Sequence, residues 1–470
     1  MKAKRLFTVF GCTLLAGSFL SVPVVSAVDD GVSVKTPPTG TIMRGKGPSG
    51  TSYCDLARGT NVDGGYCQIL WKDLQTGRFS LKQYNGKTTA ELKKDYLESK
   101  FDFTLIEEAI ASAQTFNSSR LVRLKKKQDE DFPDLADEDK LTELADEDKF
   151  KVLLRIRAGV DSPQWVKDKT KTVDWYFKNF SDTQKYDLPA FWTKAYQDSY
   201  LSLMRGLAVK YDDNELLGTV AASMCMTTHA EIMWNRTGRK KDADGNEVNN
   251  ASGKNPRQVN IAAMTDSSVL GTDVYTNAKD YACLKKQVSI HDSTWKRTPS
   301  IFGSHLYQKY YLTEKEANKA AVAQGKKRSK IDAGDATTVL SKTRNIFNHC
   351  RDTLGDRCVL GNNSLRDDEE ATNDNIYDVL LEMGPPLYFQ TNVFGSVDDG
   401  KDPKDAFSYE DMLAAMTLAG NWGAFMVEMA MGWDCENEYD KTTCDKANEY
   451  SEADSFTTPR SVLKQNSTTE

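Results

Sequence analysis

The 470-residue sequence has few of the residues and motifs on which several common kinds of site depend. Its four histidines form neither an HExxH motif nor a close pair, and no two cysteines are spaced CxxC, so no metal site is indicated. There is no GxSxG motif, the usual signature of a serine hydrolase. The formal net charge of −7, with acidic and basic residues intermixed, argues against nucleic acid as a partner. We therefore expect no metal and no other cofactor.

Long apolar runs are absent after the first 27 residues, which have the pattern of a secretory signal peptide. A basic start is followed by the apolar stretch Leu6–Leu20 and by the small residues Val25–Ala27 at the expected cleavage site. An uncleaved anchor is the alternative, but the apolar stretch is shorter than the ~20 residues of a membrane span. We expect an exported protein, extracellular or periplasmic, that does not bind a membrane after cleavage.

Eight cysteines remain once Cys12 of the signal peptide is set aside, and an even number in an exported protein favours disulfides. We expect the close neighbours to staple loops and the other two cysteines to pair with each other. The expected pairs are Cys54–Cys67, Cys350–Cys358, Cys435–Cys444 and Cys225–Cys283. Eight cysteines allow about 105 pairings, so spacing does not fix the connectivity, and free buried thiols are the alternative.

Composition divides the mature chain into three parts. Residues 28–52 are rich in Gly, Pro, Ser and Thr and are predicted to form an extended N-terminal segment. Residues 53–436 are predicted to form one domain, interrupted at about 118–149 by a charged, solvated insertion that contains LADEDK twice. Residues 437–470 are polar and are predicted to be a loose tail.

Apolar strands alternate with amphipathic helices along residues 53–436. The clearest helices are Phe103–Phe116 and Leu188–Asp212. Eightfold strand–helix alternation is typical of an α/β fold, the (β/α)8 TIM barrel, here with surface insertions and disulfide-stapled loops. An open doubly wound sheet is the alternative, but no GxGxxG or P-loop follows any predicted strand. The predicted strands are Tyr66–Trp71, Val152–Ala158, Val173–Tyr176, the segment from Leu217, Pro299–Phe302, Arg357–Leu360, Leu387–Thr391 and Ala424–Met429.

The most informative segment is Leu217–Arg236, in which an apolar, small-residue run ends in His229 and Glu231. Barrel enzymes carry their chemistry at the carboxyl ends of their strands. If the fourth strand continues this far, Cys225, Thr227, His229 and Glu231 share one face, because side chains alternate along a strand. We therefore predict an active-site strand here.

Three short motifs resemble glycoside-hydrolase barrels, in particular the β-galactosidase-like members of the large retaining clan. The matching pieces are Trp71 with Asp73-Leu74 and Gly77–Phe79, Leu154–Gly159 leading to Ser162–Trp165, and the helix end Leu207–Asp212. The resemblance extends over most of residues 62–433. It implies Asn-Glu at the end of strand four and Glu at the end of strand seven, whereas this chain has Ala230-Glu231 and Gln390-Thr391. The acid/base position matches in part and the nucleophile position does not match.

Glycosidic cleavage needs two carboxyl groups, one as acid and one as nucleophile or base. Glu231 is the candidate acid/base, and an ion pair with Arg236 or Arg155 is its structural alternative. Glu428 emerges among apolar residues of strand eight and is the candidate second carboxylate, unless it only orients a loop. Strands four and eight lie across a barrel, which would leave room for a water and favour inversion. If the segment LLEM is strand seven instead of LYFQT, Glu382 becomes the candidate second carboxylate in place of Glu428. If LYFQT is strand seven, Glu382 is an exposed residue of a helix.

The function predicted from this pattern is hydrolysis of O-glycosidic bonds in an oligo- or polysaccharide by two carboxylates. The rival prediction is a non-catalytic carbohydrate-binding or surface-interaction barrel, favoured by Gln390 at the nucleophile position. Aromatic faces suit sugar rings, and amides suit sugar hydroxyls. The candidate substrate contacts are Trp71, Arg155, Trp165, His229, Arg236, His291, Trp295, His305, Asn362, Asn363 and Gln390.

Overall fold

The structure is a computed structural model that describes residues 33–44, 51–54, 56, 62–133, 135–136, 140–177, 185–228, 231–233, 237, 256–325, 331–365, 376–393, 408–430 and 457–466. Contacts divide the chain into Met1–Val32 and Ser33–Glu470, and every described residue belongs to the second unit. The predicted signal peptide lies outside the described residues.

Among the described residues, eight parallel strands close into a barrel, which confirms the predicted fold class. In barrel order these strands are β1-β2-β3-β6-β7-β10-β11-β12, and β12 pairs with β1. The strands in chain order are β1 (Gly40–Arg44), β2 (Gly64–Leu70), β3 (Lys151–Arg157), β4 (Thr172–Tyr176), β5 (Lys185–Pro189), β6 (Leu217–Ala221), β7 (Ser300–Gly303), β8 (Gln308–Tyr310), β9 (Ala336–Thr338), β10 (Cys358–Leu365), β11 (Leu387–Val393) and β12 (Ala424–Ala430).

Helices cover the outside of the barrel, and their starts follow sequence signals. Thr193 caps α6 by accepting a hydrogen bond from the amide of Tyr196, and Ser408 with Asp411 forms a capping box on α13. No helix within the described ranges is both long and apolar enough to span a membrane. The helices are α1 (Trp71–Leu74), α2 (Leu81–Asn85), α3 (Ala90–Glu98), α4 (Thr104–Asp131), α5 (Gln164–Thr170), α6 (Lys194–Tyr211), α7 (Pro256–Thr265), α8 (Ser267–Leu270), α9 (Asn277–Thr294), α10 (Glu314–Ala323), α11 (Leu340–Leu354), α12 (Ile376–Met383), α13 (Tyr409–Asn421) and α14 (Thr457–Asn466).

The first barrel strand is β1, which lies inside the segment that we expected to be an extended lead-in. The predicted third strand, Val173–Tyr176, is instead part of β4, which pairs antiparallel with β5 outside the barrel. Its burial alternates, because only one face of such a hairpin is covered. The barrel gains β1 before the first predicted strand and loses the predicted third strand. The segment from Leu217 is therefore still the fourth strand of the barrel, and the four strands after it also keep their predicted places.

Because β1 is a strand, a glycine-rich motif does follow a strand in this chain, contrary to the prediction. Residues 45–50, GKGPSG, have the spacing GxGxxG directly after β1 and lie outside the described residues. A dinucleotide-binding fingerprint requires a helix to open at this motif within a βαβ unit. Here Tyr53 instead forms a bridge with Gln68, and the barrel closes, so the doubly wound alternative is wrong.

Two boundaries at the surface differ from the prediction. The helix predicted at Phe103–Phe116 continues as α4 to Asp131, so the first part of the expected insertion is helical. Arg120 of this part is buried and donates to the carbonyl oxygens of Val62 and Asp148. The expected loose tail contains α14, which packs on β1, β12 and α13 and buries Leu463 completely.

The barrel interior contains a layer of large apolar side chains contributed by seven strands. They are buried because inward-facing positions alternate along each strand and fill the barrel instead of leaving a pore. The layer consists of Ile42, Tyr66, Leu153, Ile301, Val359, Tyr388 and Met426. Towards the carboxyl ends of the strands, the next inward positions are polar in β1, β2, β3, β11 and β12, and the candidate site lies at this level.

Three disulfides are present in the described part of the chain, and each matches a predicted pair. They are Cys54–Cys67, Cys225–Cys283 and Cys350–Cys358. The second joins the loop after β6 to α9 across 58 positions of sequence. The predicted pair Cys435–Cys444 lies outside the described residues.

Candidate functional site

Glu428 of β12 lies at the centre of a buried ionic cluster inside the barrel. Its side chain is completely buried, and its Oε1 accepts hydrogen bonds from Arg44 Nε at 2.7 Å and Arg155 Nη1 at 3.2 Å. Its Oε2 accepts from Arg155 Nη2 at 2.5 Å and from the hydroxyl of Tyr388. The guanidinium of Arg155 also stacks on the ring of Tyr66, 3.9 Å from its centre. Both carboxylate oxygens therefore have two donors.

The arginines keep Glu428 ionised in spite of its burial. Burial alone would raise the pKa of this carboxyl, but the charges and hydrogen bonds of Arg155 and Arg44 lower it below its usual value. Burial also opposes the charge on Arg155, and Glu428 raises the pKa of that guanidinium well above its usual value. Burial raises the pKa of Tyr388, so its hydroxyl remains a neutral donor. The cluster is two cations around one anion.

Gln390 lies beside this cluster on the neighbouring strand, where its Cα is paired with that of Glu428. Its Oε1 is 3.5 Å from Arg155 Nη2, and its Nε2 donates to the carbonyl oxygen of Asn363 at 3.3 Å. The strand LYFQTNV that contains it, β11, is the seventh of the barrel and carries no carboxylate. At this position the chain thus offers an amide held in place by two contacts.

Glu231 is ten residues beyond β6, so the prediction that it shares a strand face with Cys225 and Thr227 is wrong. The loop returns to the barrel at Ile232, which pairs in parallel with Ser304 just after β7. This bridge places Glu231 at the carboxyl end of the barrel, where its Oε2 is 2.8 Å from Nε2 of His305. The two side chains are 20% and 25% exposed, so this carboxylate, unlike Glu428, is open to solvent.

A second buried polar group lies where the loops after β3 and β6 meet. Arg157 donates to the carbonyl oxygen of Thr228 at 2.6 Å and pairs with Asp161 at 3.0 Å. The loops approach closely at Gly159, which has a φ of +55°, and a Cβ there would lie 2.0 Å from the carbonyl oxygen of Thr227. Glycine is required at that position, because any side chain would clash with the facing backbone.

Asn362 and Asn363 have opposite surroundings, because side chains alternate along β10. Asn362 is buried, donates to the carbonyl oxygen of Ser304 and accepts from the hydroxyl of Tyr377, each at 2.9 Å. Asn363 lies beside Gly303, and its Oδ1 is buried without a hydrogen-bond partner among the described residues. Asn362 therefore has a structural role, and Asn363 retains a buried acceptor that no described residue uses.

Three predicted substrate contacts are core residues in the structure, and this corrects the prediction. Trp71, His291 and Trp295 are completely buried. His291 lies between α9 and the barrel, with Nδ1 2.8 Å from the hydroxyl oxygen of Ser300 and Nε2 3.3 Å from that of Tyr200. Burial, with a smaller effect of the Arg357 charge, lowers its pKa to about 3. A substrate would not reach these side chains without unpacking the core.

Of the remaining predicted site residues, the structure places only some near the candidate site. Trp165 is partly buried, contacts Trp71 edge-on and donates to the carbonyl oxygen of Gln75. Glu382 is an exposed residue of α12 paired with Arg344 at 2.8 Å, as its structural alternative predicted. Arg155, which was considered as a partner for Glu231, binds Glu428 instead. His229 and Arg236 lie outside the described residues.

Sequence reasoning missed Arg44 and Tyr388 as members of the cluster. Arg44 follows the short segment Thr41-Ile42-Met43 and precedes glycine, a pattern that is typical of a short strand ending in a charge. Tyr388 is the only hydroxyl before Gln390 in β11, at inward spacing from it. Side chains two residues apart in a strand point to the same side of the sheet. Once β1 is recognised, this rule places Arg44 inside the barrel with Ile42, and it places Tyr388 inside with Gln390.

Comparison with known proteins gives matches of fold alone. No protein-family model and no curated protein sequence matches the chain. One similar solved structure is β-galactosidase from the psychrophilic Marinomonas ef1, with 9% identity over 86% of this chain and 55% of that chain and a TM-score of 0.37. Another is the lactosyl-enzyme intermediate of endo-glycoceramidase II from Rhodococcus sp., with 10% identity over 89% of this chain and 81% of that chain and a TM-score of 0.34. A third is family 1 β-glucosidase from Thermotoga maritima, with 11% identity over 87% of this chain and 84% of that chain and a TM-score of 0.35.

The chain spans about half the length of the Marinomonas β-galactosidase. At these identities and TM-scores the likeness assigns no activity to the chain and no role to any of its residues. The fold of the chain is a (β/α)8 barrel, as its closed parallel sheet shows.

Proposed function

We propose that this protein is a secreted carbohydrate-binding barrel of the glycoside-hydrolase type that does not hydrolyse its ligand by a two-carboxylate mechanism. The observation that carries the proposal is the state of Glu428, whose side chain is completely buried and whose oxygens are both bound by arginine. A nucleophile must reach the anomeric carbon, and a general base must reach a water. Glu428 would have to leave Arg44 and Arg155 to do either, so it acts as their counter-ion.

Carbohydrate is the proposed ligand because polar side chains of several strands converge at the carboxyl end, where barrels bind their substrates. Arg157 and Asn363 lie near the carboxyl ends of β3 and β10, and Asp161, Glu231 and His305 lie in the segments that follow β3, β6 and β7. Neutral hydroxyl groups, which both donate and accept, match such a mixture of donors and acceptors. The resemblance of the sequence motifs to glycoside hydrolases points to the same ligand class, an oligo- or polysaccharide.

Secretion is supported by the signal-peptide pattern of the first 27 residues and by the three disulfides of the described region. Structural disulfides persist in oxidising compartments. Detection of the mature chain in the culture medium, with its amino terminus determined by mass spectrometry, tests this part of the proposal.

Hydrolysis is the second candidate function, and the exposure of Glu231 favours it. In that mechanism Glu231, close to His305, would protonate the leaving oxygen, and Glu428 would be the second carboxylate. The original two-carboxylate prediction thus depends on whether Glu428 can leave its arginines during turnover.

One experiment separates the two functions. The purified protein is tested for binding to glycan arrays and for turnover of aryl glycosides and of plant, fungal and bacterial polysaccharides. We expect saturable binding without turnover, and we expect Glu231→Gln to weaken binding. Hydrolysis that is abolished by both Glu231→Gln and Glu428→Gln, but not by the surface control Glu382→Gln, would establish the second function and overturn the proposal.

A further inference from the structure

A cleft of about 550 Å³ lies outside the barrel, between the segment after α1 and the outer face of α6. One wall is Arg78–Gln83, and the other consists of Asp198, Leu201, Ser202 and Arg205. None of these residues belongs to the candidate site at the carboxyl ends of the strands. The cleft is therefore a separate feature of the surface.

Three of the side chains that line the cleft are positive, and no described residue neutralises them. Arg78, Lys82 and Arg205 make no hydrogen bond or ion pair through their side chains with any described residue. Asp198 is the one carboxylate of the lining, and both of its oxygens are occupied by Lys194 at 2.7 and 2.8 Å. Three cations thus line the cleft, and the one carboxylate of the lining is paired with Lys194.

The floor of the cleft is ordered by hydrogen bonds. Ser202 accepts from the amide of Phe79 at 2.8 Å and donates to the carbonyl oxygen of the same residue at 3.0 Å. Gln83 accepts from the hydroxyl of Tyr96, and its Nε2 has no partner in the described part of the chain. These contacts fix the backbone that carries Arg78 and Lys82 against the helix that carries Arg205.

The local charge is opposite to that of the protein. Residues 72–100 contain seven lysines and arginines against four acidic residues, which gives +3, whereas the whole chain carries −7. Lys169 lies close enough to belong to the same region: partial burial, followed by the charge of Arg78, lowers its pKa. A basic cleft on an acidic protein concentrates anions locally.

We propose that this cleft binds a tetrahedral oxyanion, the phosphate or sulfate group of an anionic ligand, through Arg78, Lys82 and Arg205. Guanidinium groups donate two parallel hydrogen bonds to such oxygens. The partly apolar walls at Phe79, Leu81 and Leu201 would contact the remainder of the ligand. The ligand site is independent of the proposed carbohydrate site.

Isothermal titration calorimetry of the full-length secreted chain with inorganic phosphate, and separately with sulfate, tests the proposal. We expect saturable binding at one site. Arg205→Gln and Arg78→Gln should each weaken it about tenfold or more, since each removes a charge-assisted hydrogen-bond donor. Arg205→Lys should give an intermediate loss, because the charge remains and the planar fork is lost. Glucose 6-phosphate and glucose 6-sulfate then show which ester the cleft prefers.

Lys94→Gln is the matched control, since Lys94 belongs to the same basic segment, is exposed and lies outside the cleft. It should change the affinity by less than about twofold, because surface charge acts weakly at a distance in salt. No saturable binding by the unmodified protein, or an equal loss in Lys94→Gln, would overturn the proposal. If Arg205→Gln fails to fold, Arg78→Gln decides, since Arg78 is exposed. Glycan binding should be unchanged in all these variants, which separates this test from that of the proposed function.

Discussion

Replacement of Glu428 by glutamine tests whether this carboxylate is a buried counter-ion. Glutamine has nearly the same shape but no charge, so Arg44 and Arg155 would remain buried without an anion between them. Its amide group would also place a donor against groups that donate. Removal of one partner from a buried ion pair costs about 3–5 kcal/mol. We expect a loss of this size in the free energy of unfolding.

The expected change in melting temperature follows from the size of the protein. The unit Ser33–Glu470 has about 440 residues, so its unfolding entropy is about 0.9 kcal/mol/K if it unfolds as one unit. A loss of about 3–5 kcal/mol then lowers Tm by roughly 3–5 °C. Calorimetry gives Tm, and urea denaturation gives the free energy of unfolding.

Glu382→Gln is the matched control, because it removes the same charge from an ion pair at the surface. The side chains of Glu382 and Arg344 are 52% and 38% exposed, so the loss should remain below about 1 kcal/mol. Equal stability of the two variants would refute the counter-ion role of Glu428. The inference that Glu428 is unavailable for chemistry would then fail as well.

Two further predictions concern residues of the core and the loops. Burial lowers the pKa of His291 to about 3, so below pH 6.5 the unfolded state binds a proton that the folded state does not. Stability should therefore fall by about 1.5 kcal/mol between pH 6.5 and 5 because of this residue, and His291→Gln should lack that component in urea titrations at both pH values. The second prediction compares loop lengths. Replacing both cysteines of Cys225–Cys283, 58 residues apart, by serine should cost about 4 kcal/mol, against about 2.5 kcal/mol for Cys350–Cys358, 8 residues apart. Equal losses for the two disulfides would contradict the loop-entropy account.

Most of the barrel was predictable because buried parallel strands have continuous apolar sequences. The segments VLLRIR and AFMVEM show this pattern, and both are strands of the barrel. Strand β1 was missed because its apolar part, Ile42-Met43, is short and lies among glycines, prolines and threonines. Val173–Tyr176 was misplaced, although its alternating pattern indicated a strand with only one covered face.

The residues of the site were only partly predictable, since burial and pairing depend on distant segments. The sequence identified Glu428 as an isolated carboxylate among apolar residues, and it identified Gln390 on strand seven. It did not indicate that His291 and Trp295 lie in the core, because histidine and tryptophan occur both in cores and at binding sites. The position of Glu231 depended on where β6 ends, and element boundaries are weakly encoded in local sequence.

The sequence by itself determined the fold class and the presence of one carboxylate on the last barrel strand, because both are encoded in local patterns. It also predicted the three disulfide pairs that the structure contains, although cysteine spacing alone does not fix the connectivity. Only the tertiary structure decided what that carboxylate does. Closure of the barrel pairs β1 with β12 and brings Arg44, 384 positions away in sequence, to 2.7 Å from Glu428. A buried charge is stable only with a partner, and the identity of that partner is set by which strands become neighbours.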